Sequence, residues 1–571
     1  MKILGINHDM YITSAAIVVD GAVVAACPEE RLTREKQSRA FPERAIRYCL
    51  DQAGLALDDI DCVVNGYNPA VHLQKYNPIF SGNRRFRSDY LYSVQDHLFR
   101  ILPDREAQEP EYLHQVVPLA GGKKLETYYL THHLCHAGNA FFMSPYEEAA
   151  ILTADGRGEH DTVVFAVGRG NSIEVLQRIS IPQSLGSFYS TFTDFLGFKP
   201  DSDEWKVMAL SSYAPWDNPY YKSIKNLVTL KDDGRFELDL TCFKGFVHET
   251  PGMYSRKLVD LIGPPRGRDD AYEGRHYEIA SAMQRVTEET LSHMLSWLHR
   301  KTGLDNVCLS GGMFMNSVYN GRVTRQTPFR NAFVSSCPDD SGLSIGGALY
   351  VHHQLFGNSG RQVQTHNYYG PEFTNDEIEA TLKQHKVSYR RSDDVAAEVA
   401  GILDQGKLVG WFQGKMEFGQ RALGNRSIIA DPRRAEMKDK INAAVKFREA
   451  FRPFAPSILE ERTTEFFEID PGVTVPFMEK VFPIRPEKRA MIPAVTHEDG
   501  SGRLQTVSRE TNPRYYRLIE NFERLTGVPV ILNTSFNLNG EPVVCSPSDA
   551  LRTFISCGLD VLVLGDFIVA K

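Results

Sequence analysis

Apolar and polar positions fall in short alternating blocks, and the first clear block is a hairpin. Ala15 to Val19 and Ala22 to Ala26 are apolar runs either side of Asp20-Gly21, the pair a type I′ turn favours. Ile3-Leu-Gly-Ile6 reads as a strand end before it and leads into a polar loop, Asn7 to Ser14. The order returns later. Ala149 to Ala154 runs into the polar loop Asp155 to His160; Thr162 to Val167, a Gly168-Arg-Gly-Asn-Ser172 turn and Ile173 to Ile179 follow. Strand, loop, strand, turn, strand, twice over, predicts duplicated halves. Helical periodicity covers Phe41 to Ala53, opened by Pro42, and Glu278 to His299, with Ile279, Met283, Val286, Leu291 and Leu295 on one face. Residues 76–112 are rich in Tyr, Arg and Phe without a period and read as an insertion.

Further on, Asn306 to Ser310 is a strand that ends at Gly311-Gly312, and Met313 to Asn320 reads as a helix. Such a junction is either an anion site or a tight turn with no ligand. Pro338-Asp339-Asp340 opens another helix. His353 to Tyr369 is polar and aperiodic, which places a boundary there and divides the chain into 1–355 and 366–571.

The stretch from Lys407 to Leu459 stands apart. Lys407 to Gln413 is a short buried strand. A turn with Gly414, Gly419 and Gly424 follows, and then Met437, Ile441, Ala444 and Val445 at helical spacing. From Lys415 to Arg452 there are ten Lys/Arg against five Asp/Glu, with Lys446, Arg448 and Arg452 at the end of the helix. A solvated charged face would explain the run, but not its mixing with Phe418, Leu423, Phe451, Pro453, Phe454 and Pro456. Cations set among apolar residues suit phosphate or carboxylate oxygens.

Composition narrows the class. The chain of 571 residues is 42% hydrophobic and 24% charged, enough for two or more domains with full cores. A net charge of −8 argues against a nucleic-acid partner. No run of about 18 apolar residues predicts a membrane span. Nine scattered cysteines without a C-x-x-C pair suit reduced thiols in a cytoplasm. His132 and His136 would share a helix face at i, i+4, close enough for one metal, or be two packed histidines. The H-E-x-x-H of zinc proteases is absent.

EFGQRALGNRSI, then IN, then K-x-RE-x-FRPFAPS resembles the signature of the O-carbamoyltransferase family, which holds nodulation protein U and the carbamoyltransferases of antibiotic biosynthesis. The resemblance covers nearly all of the chain. It implies an α/β protein whose first domain is actin- or sugar-kinase-like and duplicated, and whose second is YrdC-like. The first also resembles the domain that transfers threonylcarbamoyl to tRNA. Family members bind a metal, described as iron, through the histidine pair and two aspartates. The aspartates match Asp155 in TADG and Asp340 in PDDSGLSIGGA.

The resemblance further implies nucleotide contacts at Asp155, Gly156, Lys206, Gly311, Gly312 and Asn316. Arg421, Lys446, Arg452, Arg503, Asn533 and Ser535 match positions that hold carbamoyl phosphate and carbamoyl adenylate, with Lys446 and Arg452 catalytic. The implied reaction joins carbamoyl phosphate and magnesium-bound ATP as carbamoyl adenylate. It then carries the carbamoyl group to a hydroxyl of a small molecule, with iron(II) or another divalent metal at the transfer site. The chain departs from the family before Ser14-Ala15-Ala16. Members usually place a His-Asp pair there; here Tyr11, Ile12 and Thr13 stand in that place and His8-Asp9 lies earlier, so His8 is the candidate base. After EERLTR, Lys36-Gln37 replaces the usual Lys-His. A tRNA threonylcarbamoyl transferase, an actin-like kinase or ATPase, and a non-enzymatic metal- or nucleotide-binding regulator are the rival readings; the last two leave the arginines of the second domain without a task. The acceptor is not given by the sequence.

Overall fold

A computed structural model describes residues 1–8, 12–68, 111–119, 122–244, 252–447, 449 and 451–571. Most of the insertion read at 76–112, together with Asp9, Tyr11 and Arg448, lies outside the described residues. The first sheet contains β1 (Lys2–Asn7), β2 (Ser14–Val19), β3 (Ala22–Pro28), β4 (Cys62–Asn65), β5 (Tyr112–Pro118) and β6 (Lys124–Leu130), in the order β3-β2-β1-β4-β6-β5. The hairpin read from Asp20-Gly21 is the β2–β3 connection. Both residues have positive φ, 49° and 82°, as a type I′ turn requires.

The second sheet repeats the plan. It begins with β7 (Glu148–Ala154), β8 (Asp161–Arg169) and β9 (Ser172–Ser180). After a small hairpin of β10 (Val228–Leu230) and β11 (Phe236–Leu238), it is completed by β12 (Asn306–Ser310) and β13 (Asn331–Val334), in the order β13-β12-β7-β8-β9. In each sheet the first strand has an antiparallel hairpin on one side (β1 with β2 and β3, β7 with β8 and β9). On its other side lie two parallel strands, β4 and β6 or β12 and β13. This is the duplicated actin-like arrangement that the strand pattern predicts.

The third sheet holds β14 (Arg390–Arg391), β15 (Val409–Phe412), β16 (Arg426–Ala430), β17 (Ala455–Leu459), β18 (Lys480–Pro483), β19 (Ser501–Val507), β20 (Val530–Ser535), β21 (Val561–Leu564) and β22 (Phe567–Ala570). Its order is β14-β22-β21-β15-β16-β20-β17-β19-β18. Apolar residues cover both faces. Leu408 and Phe412 pack into one cluster and Val409 and Trp411 into another, which is why this strand reads as a continuous apolar run.

Two helices cross between the first two sheets, His132–Phe141 and Leu343–Tyr350. Their backbones touch through glycine. A Cβ on Gly346 would lie 1.9 Å from the Cys135 carbonyl oxygen, and one on Gly138 would lie 2.4 Å from that of Gly346. Gly346→Ala should therefore force the helices apart and lower stability by about 1–3 kcal/mol, read as a lower melting midpoint. An unchanged midpoint would show that this contact does not hold the helices together.

Three helices differ from their sequence reading. The long one runs Gly274–Thr302 and is longer than expected. The helix expected from Met313 to Asn320 is a 3₁₀ turn, Gly312–Met315, and a separate short helix, Ser317–Asn320. Asn316 breaks it, because its side chain accepts from the Tyr319 amide and caps a new start. The third, Met437–Ile441, widens into a π-turn, Asn442–Lys446, and stops at Phe447 with φ 44°.

Candidate active site

The helix His132–Phe141 is buried along its whole length, and Nε2 of His132 and of His136 lie 3.0 Å apart. Asp155, just past the end of β7, brings Oδ2 to 3.2 Å from His132 Nε2 and 3.0 Å from His136 Nε2. Asp340 starts a 3₁₀ turn; its Oδ1 is 3.5 and 3.7 Å from the same two nitrogens. The four donor atoms lie within 4.8 Å of one another. The first sheet helps set the turn, because Asn7 Nδ2 at the end of β1 donates to the Asp340 carbonyl at 2.8 Å. The glycine crossing above brings the histidine helix and the Asp340 turn together.

Burial opposes charge on His136, but hydrogen bonds to Asp155 and Asp340 outweigh it and lift its pKa to about 9. Burial likewise pushes the Asp155 carboxyl up, and the two histidines overcome this and hold it well below its ordinary value. A site that favours positive charge between two imidazoles and two carboxylates suits a first-row divalent cation, which these four residues could hold. The other nitrogen of His136 meets Ser310 Oγ at 3.3 Å, an orienting partner of the kind metal-bound histidines use. His133 is not part of the group. Its nitrogens meet Thr153 Oγ1 at 2.8 Å and the Asp161 carbonyl at 3.0 Å, and burial lowers its pKa well below the usual histidine range.

Glu159 went unread in the sequence. It accepts from the His132 backbone N–H at 3.0 Å and from the Asn68 N–H at 2.7 Å, so it caps the histidine helix. Burial raises its pKa to about 6.

The basic side chains come from the part of the chain that builds the third sheet: Arg503 is on β19, Lys446 ends the π-turn, and Arg421 and Arg452 lie in the connections before β16 and β17. Lys446 is buried, and its Nζ donates to the Ser535 carbonyl at 2.6 Å, Asn537 Oδ1 at 2.8 Å and the Asn537 carbonyl at 3.0 Å. Lys446 thus fastens the end of β20. Arg452 lays its guanidinium 3.8 Å from the Trp205 ring, and Glu449 reaches both Arg452 at 3.4 Å and Lys206 at 3.2 Å. Arg421 and Arg452 have their pKa values pushed down to about 10 by burial, so both are charged at neutral pH. Asn533 is fully buried. Its Nδ2 donates to the Ala422 carbonyl at 3.1 Å and to Gln505 Oε1 at 3.0 Å, which fixes the amide orientation. Its Oδ1 is left buried without a hydrogen-bond partner.

One cavity of about 1100 Å³ joins these groups. Asp155, Gly156, Lys206, Gly312, Asn316 and Asp340 line it from the duplicated part, and Arg421, Lys446, Arg452, Arg503, Asn533 and Ser535 from the third sheet. Four sequence candidates do not line it. His132 and His136 lie behind the two aspartates and are not among the lining residues. Gly311 is not a lining residue either. It has φ 99°, and a Cβ would sit 2.3 Å from the Ala154 carbonyl oxygen, so its task is the turn. Asn316 lines the cavity, but its amide is engaged with Gln284 and Tyr319. His8 is not a lining residue; its ring meets Phe41 edge-on at 5.3 Å. The base expected at His8 is therefore not placed in the cavity. Lining residues the sequence reading did not single out include Glu204, whose pKa burial raises to about 7, and His497.

Among the described residues no helix is long and apolar enough to cross a membrane. A family model described as Carbamoyltransferase N-terminus matches residues 2–349, and one described as Carbamoyltransferase C-terminus matches residues 400–571. An uncharacterized protein of Synechocystis sp. is 40% identical over 611 residues, which span 100% of this chain and 96% of that protein. Nodulation protein NolNO of Sinorhizobium fredii is 37% identical over 576 residues, 99% of this chain and 80% of its own. Nodulation protein U of Azorhizobium caulinodans is 36% identical over 259 residues, 45% of this chain and 44% of its own.

Proposed function

The chain belongs to the carbamoyltransferase family, and from that premise we propose an ATP-dependent enzyme that moves a carbamoyl group from carbamoyl phosphate, through carbamoyl adenylate, to a hydroxyl of a small natural product or sugar. The observation that carries this reading is the shared cavity, in which Asp155 and Asp340 face the same space as Arg421, Lys446, Arg452 and Arg503. Activation and transfer then need no escape of a labile intermediate into water. Residues 366–571 would form the adenylate and residues 1–355 would transfer from it.

Activation balances with one water. Carbamoyl phosphate and water give carbamate and phosphate; a carbamate oxygen attacks the α-phosphorus of ATP and pyrophosphate leaves. Carbamate and the triphosphate are both anions, so clustered cations offset their repulsion and the charge that develops. Arg421 and Arg452 serve as the guanidinium contacts. Asn533 Oδ1, an unmatched acceptor, suits the carbamoyl NH₂, which is a donor. For transfer, His132, His136, Asp155 and Asp340 would hold a divalent cation, with iron(II) as the candidate. Such a cation, when bound, supplies Lewis-acid stabilisation of phosphate oxygens.

The purified protein should convert ATP to AMP and pyrophosphate only when carbamoyl phosphate is present. ADP as the main product would support a kinase instead and refute this reading.

A further inference from the structure

Between Thr496 and β19 the chain makes a tight polar turn at the cavity wall. The His497 N–H donates to the Ser501 carbonyl at 2.8 Å, and the Gly500 N–H returns to the His497 carbonyl at 2.9 Å. Gly500 has φ 78°. Inside the turn, Ser501 Oγ donates to Asp499 Oδ1 at 2.6 Å, and the Ser501 N–H donates to the same oxygen at 3.0 Å. The hydroxyl proton is thus spent on Asp499. His497 Nδ1, 3.2 Å from Ser501 Oγ, must then be the donor in that contact. This fixes the tautomer, because with the proton on Nδ1 the lone pair sits on Nε2. That nitrogen is buried and has no hydrogen-bond partner. His497, Asp499, Ser501 and Arg503 all line the cavity. An imidazole whose outer nitrogen is oriented by a hydroxyl and a carboxylate, with its inner nitrogen bare, is arranged as a base.

Resting on the carbamoyl phosphate reading above, we propose that His497 is the general base for the water that splits carbamoyl phosphate. The water oxygen bonds to the carbonyl carbon. The bond from that carbon to the phosphate oxygen breaks, and phosphate leaves with the electron pair. One water proton goes to His497 Nε2; the other stays on carbamic acid, which ionises to carbamate. Arg503, four residues beyond Asp499 on β19, is placed to receive the departing phosphate. Burial first, then Arg503 and Lys438, hold the His497 pKa down at about 4 against the pull of Asp499, so the ring is unprotonated through the neutral range. A phosphate dianion beside it would raise its proton affinity at the step where it accepts one.

The test exploits a bypass. Ammonium carbamate supplies carbamate directly, so the water step is not needed. In His497→Gln, pyrophosphate release from ATP driven by carbamoyl phosphate should fall about 100- to 10,000-fold, the usual contribution of a general base. Carbamate-driven release should stay within a few-fold of the unmodified protein, which also shows that the variant is folded. Ser501→Ala, which removes the tautomer lock, should show a smaller loss in the same donor-selective pattern. Equal losses with both donors, or full activity with carbamoyl phosphate, would overturn the proposal. If the unmodified protein releases no pyrophosphate with carbamoyl phosphate, the underlying functional reading falls, and this inference with it.

Discussion

Lys446→Ala should cut carbamoyl-phosphate-dependent pyrophosphate release by at least about 10- to 150-fold, since one charge-assisted partner is worth roughly 1.5–3 kcal/mol. The geometry suggests a larger loss. The ammonium holds the Ser535 and Asn537 carbonyls and Asn537 Oδ1, so its removal takes away the one donor that ties these three acceptors together at the end of β20. It also removes a positive charge from the cavity wall. Arg452→Ala should act similarly by another route, because its guanidinium is shared between Glu449 and the face of Trp205. Effects of groups that act as a unit are not additive, so the double variant should lose little more than the worse single one. Circular dichroism of each variant separates loss of function from loss of fold. Activity within a few-fold of the unmodified protein in both variants would remove the basic cluster from the chemistry.

His136→Ala should lose bound metal, and with it carbamoyl transfer, by at least about 100-fold. Its Nε2 is 3.0 Å from both His132 Nε2 and Asp155 Oδ2, so the cavity left by alanine removes one of four donors. It also strips the positive partner from a buried carboxylate. Elemental analysis of purified protein measures the first effect, and mass spectrometry of acceptor with one added carbamoyl group measures the second. Full metal content in the variant would show that the ion sits elsewhere. His133→Ala is the contrast: its nitrogens are committed to Thr153 and Asp161, so metal content should be retained.

How far the sequence reads into this structure depends on the range of the forces involved. The β2–β3 hairpin was legible because Asp20-Gly21 fixes its own turn. The duplication was legible because each half repeats a local pattern. The order of the third sheet was not, since β15 pairs with β21 and β16 with β20, strands far along the chain from them. The histidine pair followed from helical spacing. Asp155 and Asp340 came only from family resemblance, because what brings them together is tertiary, the close backbone crossing at Gly138 and Gly346. The helix expected from Met313 failed because Asn316 offers its own cap, a short-range signal that was present and unread. His497 was not singled out from the sequence. The signal was Asp499-Gly500-Ser501, a turn beside a histidine, and its meaning depends on the cavity that the fold supplies.

The central claim is that one cavity holds two separable chemical stations. The direct measurement is pyrophosphate release and carbamoylated product on the same preparations of Lys446→Ala and His136→Ala, each confirmed folded. The account predicts that Lys446→Ala loses both activities. His136→Ala should keep most of its carbamoyl-phosphate-dependent pyrophosphate release while making no product. Loss of pyrophosphate release in His136→Ala as complete as that in Lys446→Ala would contradict it, and would place the histidine and aspartate cluster in the activation step itself.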